Sequence, residues 1–323
     1  MGRRTWCCPR TPRTTTRRGD AVRRDHLKYA LLRRVAGSSA LRHLERVGWN
    51  PLRHPDHGSG RMGGMSEIDG MGTERATCVL APNPSMMTLD GTNTWVIGEP
   101  GAGEVAVVDP GPKDPRHLER ILARVGDRRV GVVLLTHRHP DHSEGAAKFA
   151  RMAGDHVKVR ALDPAHRLGD EGLAEGDVVT TGGLELRVLE IPGHTDDSVA
   201  FWLPADRAVF TGDTVLGYGT TVLDGRLGDY LTTLDRLRAL AGEEDVATLL
   251  PGHGPKIDDP AGVLDTYIAH RRERLAQVEE AVRNGARTAR EVVETVYADV
   301  DRKLWPAAEW SVQAQLDYLA ERG

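Results

Sequence analysis

The feature that most constrains this chain is the segment His137-Arg138-His139-Pro140-Asp141-His142, which follows the apolar run from Val130 to Leu135. Three imidazoles and one carboxylate fall within six positions, where a buried strand is predicted to end. Imidazole nitrogen and carboxylate oxygen suit zinc, and also manganese or iron. Pro140 and the turn after it let His142 approach the others, so two groups of ligands can form, one for each of two metals. The alternative, a surface cluster of histidines, is disfavoured because the strand-then-loop context agrees with a metal site.

Three further polar residues occupy the same kind of position, each in a glycine-containing loop just after an apolar strand. They are His194 in Pro192-Gly193-His194, Asp213 in Thr211-Gly212-Asp213, and His253 in Pro251-Gly252-His253. Glycine allows close backbone approach, and loops at strand ends commonly carry functional residues. Together with the first segment they supply seven ligands: His137, His139, Asp141, His142, His194, Asp213 and His253. Seven are too many for one tetrahedral zinc and suit two metals with a bridging carboxylate and a bridging water.

Charge divides the chain into two different parts. Residues 1–64 hold 15 Lys and Arg against 4 Asp and Glu, whereas the whole chain carries a net charge of −4. Such an Arg-rich, apolar-poor segment cannot offset its ordering entropy, so residues 1–70 are predicted to be a disordered extension. An organelle transit peptide, a nucleic-acid arm, or translation starting at Met62, Met65 or Met71 are the alternatives.

The three cysteines cannot form a disulfide framework, and no apolar run reaches 18 residues. We therefore expect a cytoplasmic protein without membrane spans. From about Thr77 the pattern becomes that of a folded domain in which strands and helices interleave, and the short separation of strands 199–203 and 208–211 excludes helical crossovers between them. The sequence thus predicts a mixed α/β sandwich over residues 71–260.

The C-terminal residues 261–323 are predicted to be helical. Pro260 to Asn284 reads as one long helix, Thr288 and Glu291 form a capping box for a second, and residues 307–321 form a third. These helices are expected to pack on the core or to mediate homodimerisation. A DNA-binding regulator is less well supported, because no basic recognition helix is evident.

The order His-x-His-x-Asp-His, then Gly-His, Gly-Asp and Gly-His resembles the metallo-β-lactamase superfamily over roughly residues 78–260. The segments at residues 89–94, 191–198 and 212–217 are similar to those of the lactamase-beta-like protein 2 group, which is related to glyoxalase II. The resemblance implies an αβ/βα sandwich with a small all-α, winged-helix-like appendix. It also implies that His137, His139 and His194 bind one metal, that Asp141, His142 and His253 bind the other, and that Asp213 bridges two divalent ions, with Zn²⁺ favoured.

The resemblance implies a dinuclear metal-dependent hydrolase in which a bridging hydroxide attacks a thioester or a related small ester, and Asp141 orients it or moves its proton. A single-strand-specific endoribonuclease is the alternative. RNA binding depends on basic groups, whereas residues from 264 onward carry 9 basic against 11 acidic side chains. A β-lactamase is ranked lower, because zinc β-lactamases with a cysteine ligand carry it where this chain has Asp213, and they are secreted.

Two residues outside the ligand set are candidates for substrate binding. Asn93 and Tyr218 are predicted in loops that could face the cleft, where a polar side chain binds substrate or stabilises an oxyanion. Each has an alternative role as a turn or packing residue.

Overall fold

The computed structural model describes residues 67–298, 300 and 302–322. Residues 1–66, and with them nearly all of the predicted disordered extension, lie outside the described residues. Ile68 is buried in the main core, and Asp69 accepts a hydrogen bond from the Leu80 backbone at 2.9 Å. The folded part therefore includes the last residues that the sequence assigned to the extension.

Within the described part of the chain, ten strands form two five-stranded sheets. One sheet has the order β1-β2-β3-β4-β5 and the other β10-β9-β8-β7-β6. The pairs β3/β4, β4/β5 and β9/β10 are parallel and the remaining pairs are antiparallel. The strands are β1 Ala76–Leu80, β2 Asn93–Ile97, β3 Glu104–Val108, β4 Arg129–Leu134, β5 Lys158–Arg160, β6 Val178–Thr181, β7 Leu184–Glu190, β8 Val199–Leu203, β9 Ala208–Gly212 and β10 Thr248–Pro251.

Seven α-helices lie in the described residues, together with three short 3₁₀ turns. The helices are α1 Pro115–Val125, α2 Pro140–Ser143, α3 Ala146–Ala153, α4 Leu227–Glu243, α5 Pro260–Arg283, α6 Ala289–Val296 and α7 Trp305–Arg322. Among these elements no helix is both long and apolar enough to cross a bilayer.

The main core lies between the two sheets, and strand alternation explains how it forms. In β8, Phe201 points inward between the sheets, whereas Trp202 on the opposite face packs under the helices. Trp95 of the first sheet meets Phe210 of the second edge to face, with ring centroids 5.7 Å apart. Because both faces of β8 are covered, all its residues are buried.

Helices cover the outer face of each sheet. Leu118 of α1 and Phe149 of α3 pack on the first sheet, and Leu234 of α4 and Leu264 of α5 pack on the second. The predicted αβ/βα sandwich is confirmed, and α6 and α7 form the small C-terminal appendix. The capping box is also confirmed: Thr288 Oγ1 accepts from the Glu291 backbone at 3.2 Å, and the Glu291 carboxylate accepts from the Thr288 backbone at 3.1 Å.

Helix α5 contributes to two separate cores. Its first half, including Leu264, packs on the second sheet, whereas Val278 joins Val292 and Val312 in the C-terminal helical cluster. The division into residues 71–260 and 261–323 stays a prediction.

Two local features of the fold are not evident from the sequence pattern. The residues after the histidine segment form two helices, α2 and α3, and the hydroxyl of Ser143 at the end of α2 donates to the Arg138 carbonyl at 2.8 Å. Gly145 separates them, since a Cβ there would lie 2.8 Å from the Gly111 carbonyl oxygen. The sequence analysis also missed β6, a short edge strand paired only with β7.

Strand β6 offers a matched test of the sandwich. Val179 is 3% exposed and faces the main core, whereas Val178 is 50% exposed on the other side of the same strand. We expect Val179→Ala to lower the free energy of unfolding by about 1–3 kcal/mol, because two buried methyl groups are lost and a cavity remains. Val178→Ala should change it by less than about 0.5 kcal/mol. Urea denaturation of both variants checks this, and equal destabilisation would contradict the inward facing of Val179.

Candidate metal centre

The loops at one end of both sheets converge. Parallel strands β3 and β4 are followed by Asp109 and Thr136-His137, and parallel strands β9 and β10 run into Asp213 and His253. Parallel neighbours place their carboxyl ends at the same edge, so these side chains come from adjacent positions. Loop 191–198 between β7 and β8 adds His194. The structure brings all seven predicted ligands to this edge, each less than a tenth exposed.

One group consists of His137, His139 and His194. His139 Nδ1 lies 3.0 Å from His137 Nε2 and 2.9 Å from His194 Nε2. Tetrahedral coordination with metal–nitrogen bonds of roughly 2.0–2.1 Å separates nitrogens by about 3.4 Å, close to this spacing. The three nitrogens can therefore hold one metal ion.

The second group consists of Asp141, His142 and His253. His142 Nε2 lies 3.4 Å from both His253 Nε2 and Asp141 Oδ2, and His253 Nε2 lies 3.3 Å from Asp141 Oδ2. The candidate ligand atoms of each group lie within 4.8 Å of one another. A mixed nitrogen and oxygen set of this size also suits zinc or a similar divalent ion.

Asp213 lies between the two groups. Its Oδ1 is 3.3 Å from His142 Nε2, and its Oδ2 is 3.1 Å from His253 Nε2 and 3.8 Å from His194 Nε2. Oδ2 thus lies near nitrogens of both groups and Oδ1 near the second group alone, so the carboxylate stands between the two groups.

Outer hydrogen bonds fix which nitrogen of four imidazoles carries the proton. His142 Nδ1 faces Asp109 Oδ2 at 2.9 Å, and the Nδ1 atoms of His194 and His253 face the carbonyls of Val222 and Gly91 at 2.8 and 3.0 Å. Since carboxylate and carbonyl oxygens only accept, each Nδ1 must donate, and in the neutral imidazole each Nε2 then presents its lone pair to the centre.

His137 follows the same rule through Thr136. The Thr136 hydroxyl donates its proton to Asp109 Oδ2 at 2.6 Å, so it accepts from His137 Nδ1 at 2.9 Å. His139 is turned the other way, with Nδ1 inward and Nε2 3.6 Å from Asp224 Oδ2. Each outer nitrogen of the five histidines therefore faces an oxygen, as is usual for metal-binding imidazoles.

The donor set fits a pair of cations and little else. Buried nitrogen lone pairs that point at one another repel unless a cation or a proton lies between them. Asp141 Oδ1 and Asp213 Oδ1 are buried and have no hydrogen-bond partner. Unsatisfied buried carboxylate oxygens are costly, and a cation would compensate both.

Electrostatics separates the two groups. Burial, together with the neighbouring imidazoles, holds the pKa of His137 well below its ordinary value and lowers that of His194 to about 3. Burial also opposes charge on His142 and His253, but the nearby carboxylates, Asp213 foremost, outweigh it; the pKa of His142 is raised well above 6.5 and that of His253 to about 9. His137 and His194 of the first group are thus neutral, whereas the second group is built around negative charge.

Sequence reasoning missed Asp109, Thr136 and Asp224 as parts of the site. Asp109 binds the Thr136 backbone at 2.8 Å and its hydroxyl, as well as His142. Asp109 is also a candidate metal ligand by position, because it lies near His137 and His142. Both of its carboxylate oxygens already accept hydrogen bonds, however, so we assign it the role of orienting the ligands. One signal could have found it, since Asp109 follows β3 just as the histidine segment follows β4.

The two candidate substrate residues occupy different environments. Asn93 is fully buried and donates to the carbonyls of Pro251 and Gly254 at 3.0 and 2.8 Å, so it holds the His253 loop, which is the packing alternative. Tyr218 is partly exposed and its hydroxyl donates to Asp90 at 2.8 Å. A substrate role for Tyr218 stays a prediction.

Glycines let the backbone pass close to these ligands. A Cβ at Gly252 would lie 2.4 Å from Asp213 Oδ1, and one at Gly193 would lie 2.4 Å from the Cα of Tyr230, where φ is also +139°. Any side chain at either position would push His253 or His194 away from the centre.

Residues 87–253 match the metallo-beta-lactamase superfamily, and residues 288–323 match the beta-lactamase associated winged helix domain. The chain belongs to the metallo-beta-lactamase superfamily. It is accordingly a metal-dependent hydrolase, with the winged-helix domain at the C-terminus that its sequence predicted.

Relatives and solved structures agree with this assignment. The chain is 32% identical over 261 residues to a beta-lactamase-like protein 2 homolog of Caenorhabditis elegans, covering 78% of this chain and 86% of that protein. It is 31% identical to an atrochrysone carboxyl ACP thioesterase of Aspergillus fumigatus, covering 72% and 76%. A metallo-beta-lactamase family protein from Thermus thermophilus superposes with a TM-score of 0.62 at 25% identity, covering 77% of this chain and 94% of that chain.

Asp109 provides a test of the outer hydrogen bonds. Its backbone φ of 49° is one that Asn also adopts, so Asp109→Asn keeps the shape while removing the charged acceptor of His142 Nδ1. We expect the affinity for Zn²⁺ to fall by about 10–100-fold, as measured by competition with a chelator. Asp229→Asn, on the exposed side of α4, is the control. Unchanged affinity in Asp109→Asn would show that this carboxylate does not orient His142.

Proposed function

We propose that this protein hydrolyses acyl thioesters or related small esters at a dinuclear metal centre. The observation that carries the proposal is the convergence of seven buried ligands in two groups with Asp213 between them. Support for the substrate class comes from the fungal acyl-carrier-protein thioesterase, with which the chain shares 31% identity over most of both lengths.

Two divalent ions, most simply Zn²⁺, would be held by His137, His139 and His194 on one side and by Asp141, His142 and His253 on the other, with Asp213 shared. When bound, such ions supply Lewis acidity for the ester carbonyl and a water of lowered pKa. The chain's own contribution is to keep five imidazole nitrogens and two carboxylates in place and to exclude bulk solvent from them.

Asp141 is the residue placed to orient the attacking water. Its Oδ1 is buried and has no hydrogen-bond partner, while its Oδ2 accepts from the Thr92 hydroxyl at 3.2 Å. Desolvation favours the neutral acid, but His142 and His253 outweigh it and hold the pKa of Asp141 well below its ordinary value. The carboxylate therefore stays ionised, so it can accept a hydrogen bond from the attacking water and orient it.

The direction of the Thr92 hydrogen bond is fixed by Asn83. Asn83 Oδ1 accepts from the Thr92 backbone at 3.0 Å, so its amide nitrogen faces Thr92 Oγ1, also at 3.0 Å. Since the amide nitrogen donates, the hydroxyl proton of Thr92 must point to Asp141. This relay from Asn83 through Thr92 fixes the Asp141 carboxylate with Oδ2 turned towards Thr92, and Oδ1 is the oxygen without a hydrogen-bond partner.

The rim beside His139 favours an uncharged group over a polyphosphate. Arg138 donates to Asp197 and Asp224 at 2.9 Å each and also pairs with Asp196, so one guanidinium faces three carboxylates. The cluster is net negative, and RNA affinity depends on phosphate neutralisation by basic groups. A thioester carbonyl does not meet this repulsion.

Parallel assays test the substrate class. Purified full-length protein of measured metal content should hydrolyse an acyl-N-acetylcysteamine thioester and leave a short single-stranded RNA intact. RNA cleavage without thioester turnover would reverse the assignment in favour of the endoribonuclease.

Replacement of the shared carboxylate tests the dinuclear centre. We expect Asp213→Asn to lose at least one of two metal equivalents and to reduce thioester turnover by at least about 100-fold, because a ligand matters more than its outer partners. Asp245→Asn, at an exposed position just after the end of α4, should retain both metals. Metal content by mass spectrometry and turnover are measured together. Full metal content and rate in Asp213→Asn would exclude the bridging role.

The relay to Asp141 predicts a change in kcat. Thr92→Val keeps the shape but removes the donor to a charged acceptor, and we expect kcat to fall roughly tenfold or more with KM little changed. Thr92→Ser should recover most of the loss, and Thr232→Val on the exposed face of α4 serves as the control. A KM effect with unchanged kcat would place Thr92 in substrate binding instead.

A further inference from the structure

One loop connects three of the ligands to one another. Residues 213–222, which we call the ligand loop, begin at Asp213. The Gly217 backbone donates to the His253 carbonyl at 2.9 Å, and the Val222 carbonyl accepts from His194 Nδ1 at 2.8 Å. The shape of this loop therefore affects Asp213, His253 and His194 together.

Helix α5 holds the ligand loop through two side chains one turn apart. Tyr267 Oη accepts from the Leu216 backbone and donates to the Gly219 carbonyl, both at 3.0 Å. Four residues later on the same face, Arg271 Nη2 donates to the Thr221 carbonyl. Thr221 directly precedes Val222, so the guanidinium lies one residue from the carbonyl that orients His194.

Arg271 carries its charge in a buried position, where a charged side chain is energetically unfavourable. It is only 7% exposed, its Nε has no hydrogen-bond partner, and no carboxylate of the described residues lies within ion-pair distance. Burying a cation without a counter-charge costs free energy that an apolar side chain would avoid. Packing alone therefore does not account for an arginine here, whereas its bond to the ligand loop does.

A tyrosine from α4 completes the support. Tyr230 Oη donates to the Thr214 carbonyl at 2.7 Å, next to Asp213, and its ring lies under the Arg271 guanidinium with 5.0 Å to the ring centroid. The ligand loop is thus held near its start, in its middle and near its end by buried side chains from two packed helices.

We propose that Tyr267 and Arg271 are positioning residues through which α5 sets the orientation of His194 and hence the affinity of the first metal site. This inference rests on the metal role proposed for His194. Because α5 also enters the C-terminal cluster at Val278, it gives the C-terminal helices a direct mechanical connection to the metal centre.

Adjacent arginines provide the test in the full-length protein. Arg271→Met keeps an unbranched side chain that reaches about as far as the arginine Nε but removes all the donors. Arg272→Met changes an exposed neighbour that pairs only loosely with Asp235 at 3.4 Å. We expect Arg271→Met to weaken the binding of one of two Zn²⁺ ions by about tenfold and Arg272→Met to leave both unchanged. Zn²⁺ affinity is measured by chelator competition and the ligand geometry by the absorption spectrum of the Co²⁺-substituted protein.

Further variants separate positioning from folding. Tyr267→Phe removes only a hydroxyl and should weaken the same site to a smaller degree, and it decides the question if Arg271→Met does not fold. Arg271→Lys, which keeps one donor for the Thr221 carbonyl, should recover part of the affinity. Wild-type Zn²⁺ affinity and Co²⁺ spectrum in folded Arg271→Met would overturn this proposal alone. A wild-type protein that binds no divalent ion would overturn it together with the proposed centre.

Discussion

The structure depends on one arrangement of hydrogen bonds, in which the outer nitrogen of each site histidine is directed to an oxygen. Asp109, Thr136 and the carbonyls of Gly91 and Val222 accept these protons, and the inner nitrogens are left as lone pairs that face one another. Such a centre is unfavourable in the absence of positive charge. The rest of the fold supplies the rigidity that keeps the nitrogens close despite their repulsion.

That rigidity comes from layers that meet at one edge. The two sheets pack against each other through Trp95 and Phe210, and this packing fixes the strand ends. Buried side chains that contact no candidate metal ion hold the loops beyond the strand ends. Asn93 ties the His253 loop, and Tyr230 and Tyr267 tie the loop that starts at Asp213. Helices α4 and α5 thus belong to the site as much as the strands do. If the ligands lay on exposed and mobile loops, metal binding would have to order those loops, and the affinity for the metal would be lower.

The two ligand groups also differ in charge, which suits different chemical roles for the two groups. The first group consists of imidazoles alone, and lowered pKa values keep His137 and His194 neutral. The second group includes Asp141 and has Asp213 at its side. Asp141, to which we assign the orientation of the attacking water, thus belongs to the more negative group, and the relay from Asn83 through Thr92 fixes the orientation of its carboxylate. Beside the first group, the Arg138 cluster makes the rim negative, which matches a carbonyl substrate better than a nucleic acid.

The sequence by itself determined the fold class and predicted the seven candidate ligands. Histidine and aspartate at strand ends are chemically distinctive, and alternating apolar residues define the sandwich, so both are readable from local patterns. Only the tertiary structure decided the outer partners. Asp109, Thr92, Tyr267 and Arg271 are ordinary residues in their own segments, and they become part of the site through contacts with loops distant in sequence. The burial of Asn93 could not be predicted from the sequence for the same reason. Hydrogen bonds between segments that are distant in sequence depend on how sheets and helices pack, and they leave no periodic signal in the chain.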